Sequence, residues 1–232
     1  LCLAADKGET AALKAVNTLW ANNETTGNGG AIGYAVNETG STSVNLMNNT
    51  IVRNKAANSG AIYAQGGTVT NTLVWGNEGE GEGDNMSGVT ATYSAAEDLT
   101  PTEENKNITL AAANTSIDGP RFAQPSNAAG AAANDPMTKW NPASINVLTD
   151  AGAGSLSKDI KNLSDIGSAT GAYKEWNDNH AGDYATQYMG SSQYYRYAGP
   201  LDENGQPLDR TIDIGLYEYQ YVTSFSNLDA VY

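Results

Sequence analysis

Three short segments decide the fold: NTLWAN at residues 17–22, NTIVRN at residues 49–54 and NTLVWGN at residues 71–77. A second element, GAI, occurs at residues 30–32 and recurs at residues 60–62. Recurrence of this kind is typical of chains built from repeated structural units, each too small to bury its own apolar face.

The repeats predict an all-β fold, a parallel β-helix. Short strands of successive repeats are expected to pair in parallel and to enclose one continuous apolar interior. Leu19, Ile51 and Leu73 are expected to point inward and to stack on one another, and so are Ile32 and Ile62. Asparagine at the repeat ends is expected at turns, where its side chain bonds backbone groups that the bend leaves without a partner.

Composition favours strands and turns over helices. Only 16% of the 232 residues are charged, and 25 are glycine, which suits tight turns better than a helical bundle. An amphipathic helix is the alternative for residues 10–20, but the end of that segment recurs in two strand-like settings. No apolar run approaches the roughly 20 residues of a membrane span. Cys2 is the only cysteine, which excludes an internal disulfide and a cysteine-based metal site.

The charge of the chain bears on its partners. The chain has 26 acidic and 12 basic residues, which gives a net charge of −14. Because this charge repels phosphate backbones, no nucleic-acid partner is predicted. Residues 78–84, EGEGEGD, alternate carboxylates with glycine and offer oxygen ligands to calcium. They match no known calcium spacing, and ordering so much glycine is entropically unfavourable. We interpret them as a solvated loop and predict no cofactor, with calcium as the alternative.

Candidate catalytic residues are few. His180 is the only histidine, which excludes histidine triads and two-histidine metal sites. The repeats offer Arg53 and Lys55 as bases for a polysaccharide lyase, but no aspartate stands beside them. A glycosidase needs two carboxylates roughly 5–10 Å apart, and four acidic residues lie close in sequence: Asp202, Glu203, Asp209 and Asp213. We interpret these as a turn and a structural aspartate rather than as a catalytic pair.

An aromatic insertion at residues 164–197 is the predicted site. Its rings stand among Asp, Asn, Gln and Ser, a combination that suits sugars, because flat rings stack on a pyranose while amides and carboxylates bond its hydroxyls. The alternative is that these rings pack the insertion onto the rest of the fold, since a loop this long needs a small core of its own. The predicted carbohydrate-binding residues are Trp176, Tyr184, Tyr188, Tyr194 and Tyr195.

Several motifs resemble known families. GGAI at residues 29–32, together with the segments that end in Asn54 and Asn77, resembles the repeats of polymorphic outer-membrane proteins, which are bacterial β-helix surface proteins. Further segments resemble, in the same order, β-helix proteins with a choice-of-anchor Q domain: VTATYSA at 89–95, INVLTDAG at 145–152, DENGQP at 202–207 and DIGLYEY at 213–219. The resemblance covers roughly residues 10–220, although Leu216 replaces the usual alanine and the insertion has no counterpart.

The resemblance implies a right-handed, pectate-lyase-like solenoid of C-terminal coils followed by an irregular cap. We therefore expect coils over residues 1–118 and a cap packed on the solenoid over residues 119–232, with residues 119–143 irregular. A strand is predicted at residues 107–110 and a short helix at residues 155–163. A final strand at residues 211–221 is expected to seal the apolar end of the stack.

The predicted function is a non-catalytic, adhesin-like or glycan-binding module. We expect it to be secreted or anchored on the outer surface of a bacterium, as a monomer within a longer chain, with a polysaccharide or host glycan as its partner. The alternative is a fragment of a β-helix polysaccharide lyase or glycoside hydrolase, and a third interpretation is a structural spacer. Analogy of fold does not choose among these functions.

Overall fold

The computed structural model describes residues 1–79, 85–133, 139–153 and 213–216, and the backbone of residues 155–156 and 210–211. Within these ranges the chain is all-β with mostly parallel sheets, and its helical structure is one 3₁₀ turn at Ala131–Ala133. The strands in chain order are β1 (Cys2–Ala5), β2 (Thr10–Val16), β3 (Leu19–Ala21), β4 (Gly33–Val36), β5 (Ser41–Met47), β6 (Thr50–Val52), β7 (Ile62–Tyr63), β8 (Gly67–Thr70), β9 (Leu73–Trp75), β10 (Met86–Ser87), β11 (Thr90–Thr92), β12 (Ala95–Ala96), β13 (Ile108–Thr109), β14 (Phe122–Gln124), β15 (Lys139–Pro142), β16 (Ser155–Leu156) and β17 (Arg210–Thr211).

The longest strands form a four-stranded parallel sheet in the order β11-β8-β5-β2. Lys14, Asn45, Thr68 and Thr90 lie side by side across it. From β2 to β11, partners on neighbouring strands are therefore 31, 23 and 22 residues apart in sequence. Every second residue of β5 is buried and the residues between them are partly or fully exposed, because successive side chains of a strand point to opposite faces. A strand also forms at residues 10–16, where a helix was the alternative.

A five-stranded parallel sheet has the order β13-β12-β9-β6-β3. Every residue of β6 and β9 is buried, so this sheet is covered on both faces. Ile51 and Val74 join the interior cluster that also contains the buried residues of the four-stranded sheet. Val52 and Trp75 point the other way, into a second cluster with residues from the C-terminal half of the chain: Leu110, Phe122, Trp140, Leu148 and Ile214. The strand predicted at residues 107–110 is present as β13.

The predicted stacking of Leu19, Ile51 and Leu73 is wrong by one residue. Thr50 lies beside Leu19 and also beside Leu73, while Ile51 belongs to the next row. The middle repeat has two consecutive asparagines, and the register makes Asn48 the counterpart of the first asparagine in the other repeats. Residues that pair in this sheet are therefore 31 and 23 positions apart in sequence. The NT motifs begin at residues 17, 49 and 71, so each of their spacings differs from these values by one.

Two shorter parallel pairs, β1 with β4 and β7 with β10, are linked by a bridge between Ile32 and Ile62. Both isoleucines are fully buried, which confirms the predicted pairing of the GAI elements. Gly30 is required there because a Cβ on it would lie 2.2 Å from the carbonyl oxygen of Gly60. The first residue of GAI is thus glycine because the backbone of the next repeat approaches it closely.

The turn between the two large sheets is made by residues with a left-handed backbone. The φ angles of Asn17, Asn48 and Asn71 are 52°, 54° and 49°, a region that asparagine occupies more readily than most residues. The side chain of Asn49 donates from Nδ2 to the carbonyl oxygen of Met47, at 3.0 Å. The repeat-end asparagines lie at turns as predicted, and the side chains of Asn49, Asn54 and Asn71 bond backbone groups. The buried side chain of Asn48 has no hydrogen-bond partner among the described residues, so the predicted bonding is confirmed only in part.

A row of asparagine side chains connects the ends of neighbouring repeats. Asn23 Nδ2 donates to Asn54 Oδ1 at 2.8 Å, Asn54 Nδ2 to Asn77 Oδ1 at 2.9 Å, and Asn77 Nδ2 to Asn85 Oδ1 at 3.1 Å. The row is buried from Asn54 onward. Asn54 also donates to the carbonyl oxygen of Trp20, so its buried amide is well satisfied. We call these four asparagines the asparagine ladder.

The C-terminal region departs from the prediction in three places. Residues 119–143, expected to be irregular, contain β14 and β15, which pair antiparallel. Residues 155–156, expected in a helix, form β16, which pairs antiparallel with β17. Residues 213–216, expected in a strand, form a bend. The division of the chain at residue 118 stays a prediction.

The bend at residues 213–216 lies against the side of the five-stranded sheet. Leu216 N donates to Thr50 Oγ1 at 2.9 Å, and Gly215 N donates to the carbonyl oxygen of Asn71 at 2.8 Å. Thr50 is in β6 and Asn71 precedes β9, and neither of these is an end strand. In the described part of the chain, this segment therefore covers the flank of the sheet instead of sealing the end of the stack.

Candidate functional site

The residues predicted from the aromatic insertion lie outside the described part of the chain: Trp176, Tyr184, Tyr188, Tyr194 and Tyr195. The same is true of His180 and of three of the four carboxylates near the C-terminal end. The fourth, Asp213, is buried, and its Oδ1 accepts a hydrogen bond from the backbone N–H of Asp150 at 2.7 Å. A carboxylate that bonds a backbone turn fits the structural role expected of it.

The bases considered for a lyase have other roles in the described residues. The Arg53 guanidinium lies over the Trp75 ring, 4.4 Å from its centroid, and burial lowers the pKa of Arg53 while Glu97 and Glu78 oppose that shift. Lys55 is exposed and lies 3.7 Å from a carboxylate oxygen of Glu78. Arg53 therefore packs against the five-stranded sheet, and Lys55 forms a surface ion pair.

A polar surface on the four-stranded sheet is the best candidate for ligand binding in the described residues. Its side chains point away from the interior because they alternate with buried residues along each strand. We call this surface the hydroxyl face. Its polar, uncharged members are Thr10, Ser41, Ser43, Asn45, Thr68, Thr70, Thr90 and Thr92.

The members of this face contact one another from strand to strand. The hydroxyl oxygens of Thr10 and Ser41 are 2.8 Å apart, and those of Thr70 and Thr92 are 3.2 Å apart. Thr68 Oγ1 donates to Asn45 Oδ1 at 3.4 Å. Strands of a sheet are about 4.7–4.9 Å apart, so these hydroxyls form neighbouring pairs along the direction in which the repeats stack.

The hydroxyl face differs in charge from the chain as a whole. The four strands of its sheet contain no acidic residue and one basic residue, Lys14, whereas the chain carries a net charge of −14. Each hydroxyl can both donate and accept a hydrogen bond. Such a surface can bond a ligand that itself carries many neutral hydroxyls. The alternative explanation is structural, since threonine on the exposed side of a sheet favours strand formation.

A pair of stacked tyrosines is a second feature of the surface, and both side chains are partly exposed. The ring centroids of Tyr34 and Tyr63 are 5.1 Å apart and their planes differ by 5°. The pKa of Tyr34 is raised, mainly by burial and to a smaller extent by the charge and hydrogen bond of Tyr63. The sequence prediction missed this pair. A signal for it was present, since each tyrosine follows a GAI element within two residues.

A partly buried carboxylate, Glu97, ends the asparagine ladder. Glu97 Oε1 accepts from the Gly76 N–H at 2.7 Å, and Oε2 accepts from Asn85 Nδ2 at 3.1 Å. Asp98 Oδ1 accepts from the same amide at 3.1 Å. Burial raises the pKa of Glu97, while the hydrogen bonds from Gly76 and Asn85 oppose the shift. This cluster bonds backbone and ladder groups, which indicates a structural role.

The remaining features are small. A cavity of about 10 Å³ lies between Phe122, Trp140, Leu148 and Asp213, enough for about one water molecule and too small for a sugar. In the described ranges, no group of three or more His, Cys, Asp and Glu side chains is placed to hold a metal ion. The described residues also contain no helix that is long and apolar enough to cross a membrane.

Comparisons with known proteins give no relative for this chain. No protein-family model, no curated protein and no solved structure matches it. The resemblance to choice-of-anchor and outer-membrane repeat proteins therefore stays a prediction from the motifs.

Proposed function

We propose that this chain is a non-catalytic module with a right-handed parallel β-helix fold, secreted or anchored on a bacterial surface, which binds neutral glycans. Support for the fold comes from contacts between neighbouring repeats, which recur at 31, 23 and 22 residues along both large sheets. Each repeat contains three strands: β1–β3, β4–β6 and β7–β9. One turn of a solenoid per repeat explains this grouping, the offsets and the enclosed apolar interior.

The hydroxyl face is the observation that carries the proposed activity. It is a surface of hydroxyl and amide groups without a carboxylate, on a chain with 26 acidic residues. An anionic polysaccharide would be repelled by the chain as a whole. A neutral glycan avoids that repulsion, and its hydroxyls can replace the water that the threonines bond in the free protein.

The aromatic insertion extends this proposal. Trp176 and Tyr195 stand in a segment rich in amide and hydroxyl residues, which suits stacking on a sugar ring. We assign them to the same activity, as a second region for the same class of ligand. Loss of binding on Trp176→Ala, with an unchanged unfolding midpoint, is the expected result.

The direct test is binding to a panel of neutral and acidic polysaccharides by affinity electrophoresis or calorimetry. Neutral polymers are expected to bind and acidic polymers are not. In the variants Thr68→Val and Thr90→Val, a methyl group replaces a hydroxyl on the face. Each lost hydrogen bond is worth about 1 kcal/mol, so the double variant should bind about tenfold to thirtyfold more weakly.

Thr26→Val is the matched control, because Thr26 is exposed but lies outside the four-stranded sheet. It should leave binding unchanged. An equal loss of binding in Thr26→Val would show that the effect does not depend on the four-stranded sheet and would contradict a site on the face. Release of reducing ends or unsaturated products from any polymer would overturn the non-catalytic proposal in favour of a lyase or hydrolase fragment.

A further inference from the structure

We infer that the stacked pair of Tyr34 and Tyr63 is a second binding site, at which a neutral glycan lays the flat side of a glucose-type ring against Tyr63. The pair lies on the short strands β4 and β7, outside the two large sheets, and is therefore separate from the hydroxyl face. The ligand class rests on the proposed function, whereas the position of the site rests on the contacts of the two tyrosines.

The two rings form a surface that is already ordered in the free protein. Their centroids are 5.1 Å apart, their planes differ by 5°, and both side chains are partly exposed. The backbone beneath them is fixed, because Tyr63 N donates to the carbonyl oxygen of Ile32 at 2.8 Å, and Ile32 pairs with Ile62 in the buried interior. A ring held in this way loses little conformational freedom when a ligand binds.

One face of the Tyr63 ring is available to a ligand. Tyr34, from the preceding repeat, stacks on one face, so the other face is directed toward the following repeat. There the register places Ser87 of β10 beside Tyr63. Ser87 is small, and the next residue is Gly88, where a Cβ would collide with the carbonyl oxygen of Ala64. The residues that follow the tyrosine pair in the stack therefore leave room for a sugar ring.

Two polar groups stand beside Tyr63 and can bond the hydroxyls of a sugar. Gln65, two residues further along the chain, is exposed, and its Oε1 accepts from the backbone N of Thr42 at 2.6 Å and from Thr42 Oγ1 at 3.2 Å. These bonds fix the orientation of the amide and leave its Nε2 as a donor for a ligand. The Ser87 hydroxyl is the second group. An aromatic ring with a few placed polar groups is the combination that binds and orients a sugar.

The charge of these strands favours a neutral ligand. Strands β1, β4, β7 and β10 contain no charged residue. A cation can also lie over a tyrosine ring, but these strands offer no carboxylate to pair with it. An acidic sugar is repelled by the net charge of −14. A glucose ring carries its hydroxyls at the rim and exposes C–H groups on its flat sides, which suits contact with an aromatic face.

The test is calorimetric binding of cellohexaose, a linear β-linked glucose oligomer, to the 232-residue chain. Tyr63→Ala removes the stacking surface and should weaken binding about tenfold. Tyr63→Phe keeps the ring and should retain most of the binding. Tyr93→Ala is the matched control, because Tyr93 is also partly exposed but lies outside these four strands. It should leave binding unchanged, and urea unfolding midpoints show that each variant is folded.

The outcomes separate this site from the hydroxyl face. Unchanged binding in Tyr63→Ala, or an equal loss in Tyr93→Ala, overturns the inference. If Thr68→Val with Thr90→Val still weakens binding in that case, the proposed function stands without the tyrosine site. A wild-type chain that binds neutral polysaccharides but not cellohexaose also overturns the inference alone, and one that binds no neutral glycan overturns both proposals.

Tetramethylammonium is the probe for a cationic ligand. The wild-type chain is expected not to bind it. Saturable binding of this cation that is lost in Tyr63→Ala, without binding of cellohexaose, would overturn the inference and assign the tyrosine pair to cations.

Discussion

The four-stranded and five-stranded sheets are built from the same repeats and differ in what covers them. One face of the four-stranded sheet lies on the interior and the other carries exposed hydroxyls, whereas the inner strands β6 and β9 of the five-stranded sheet are buried on both faces. The sequences reflect this difference. Strand β5 alternates between buried and more exposed residues, and β9 reads Leu-Val-Trp without a polar residue. A short apolar strand in a repeat therefore indicates a second covering layer, and an alternating one indicates a face open to solvent.

The largest expected effect tests the second covering layer. Leu73 and Leu19 occupy the same row of the five-stranded sheet, but Leu73 is 3% exposed and Leu19 is 37% exposed. Leu73→Ala should lower the free energy of unfolding by about 2–5 kcal/mol, because it leaves a cavity beneath the C-terminal residues. Urea unfolding measures this value.

Leu19→Ala is the control for that experiment, with the same change of side chain at a more exposed site. Its effect should be clearly smaller. Equal losses at the two positions would mean that the C-terminal residues contribute little to the burial of the five-stranded sheet.

A smaller effect is expected from the asparagine ladder. Asn54→Ala removes a buried amide that donates to Asn77 Oδ1 and to the carbonyl oxygens of Trp20 and Val52, so these groups each lose a hydrogen bond. Each such buried group costs about 1–3 kcal/mol, and thermal or urea unfolding should show a loss in that range. Asn58→Ala is the control, because Asn58 donates to Asn28 at 2.9 Å in an exposed pair. A loss in Asn58→Ala as large as in Asn54→Ala would contradict a special role for the ladder.

A pH-dependent effect is expected at Glu97, where the ladder meets a carboxylate. Because burial raises its pKa from the ordinary 4.5, the folded state holds the proton more tightly than the unfolded state. The stability that this proton contributes is present at acid pH and is lost as pH rises through the raised pKa. Glu97→Gln should therefore gain stability relative to wild type as pH rises from the ordinary pKa of 4.5 through the raised one. Urea midpoints at several pH values measure the difference, and a difference that is constant with pH would contradict the assignment.

The smallest effect is expected on the hydroxyl face. Thr90→Ala removes an exposed hydroxyl without a buried partner, so stability should change by no more than about 0.5 kcal/mol. Thermal unfolding is the measurement. A loss above about 1 kcal/mol would show that the face is structural, which would weaken its assignment as a ligand surface.

The sequence predicted the parts of the fold that depend on local chemistry. Asparagines at the turns, the pairing of Ile32 with Ile62 and strands in place of a helix before Trp20 were all readable from the repeats. The register of the middle repeat was not readable, because Asn48 and Asn49 both suit a turn. Only contacts between repeats decide which of the two adopts the left-handed backbone.

The C-terminal region was predicted less well for a different physical reason. Strands β14 and β15 lie in a stretch rich in Gly, Ala and Pro, which has little intrinsic preference for strands. They form because Phe122 packs against both Trp140 and Trp75, and Trp75 is far away in sequence. The rings that the sequence named for the candidate site lie outside the described residues, and the ligand class stays a prediction. The hydroxyl face was missed because a surface of threonines gives no motif that stands out.

The corners of the repeat differ in how much chain they use. The connection from the four-stranded to the five-stranded sheet has the same number of residues in each repeat. Ala15 precedes Trp20 by as many positions as Val69 precedes Val74. The connection that leads into the four-stranded sheet differs in length between repeats. The path from Ile32 to Val44 is more than twice as long as the path between their counterparts, Ile62 and Gly67.

Insertions and deletions are therefore absorbed at the corner before the four-stranded sheet, while the asparagine corner after it admits none without a loss of register. For protein engineering, this makes the connection before the four-stranded sheet the natural place to graft a foreign loop. New binding segments can be added there one repeat at a time, next to the hydroxyl face and without disturbing the stack.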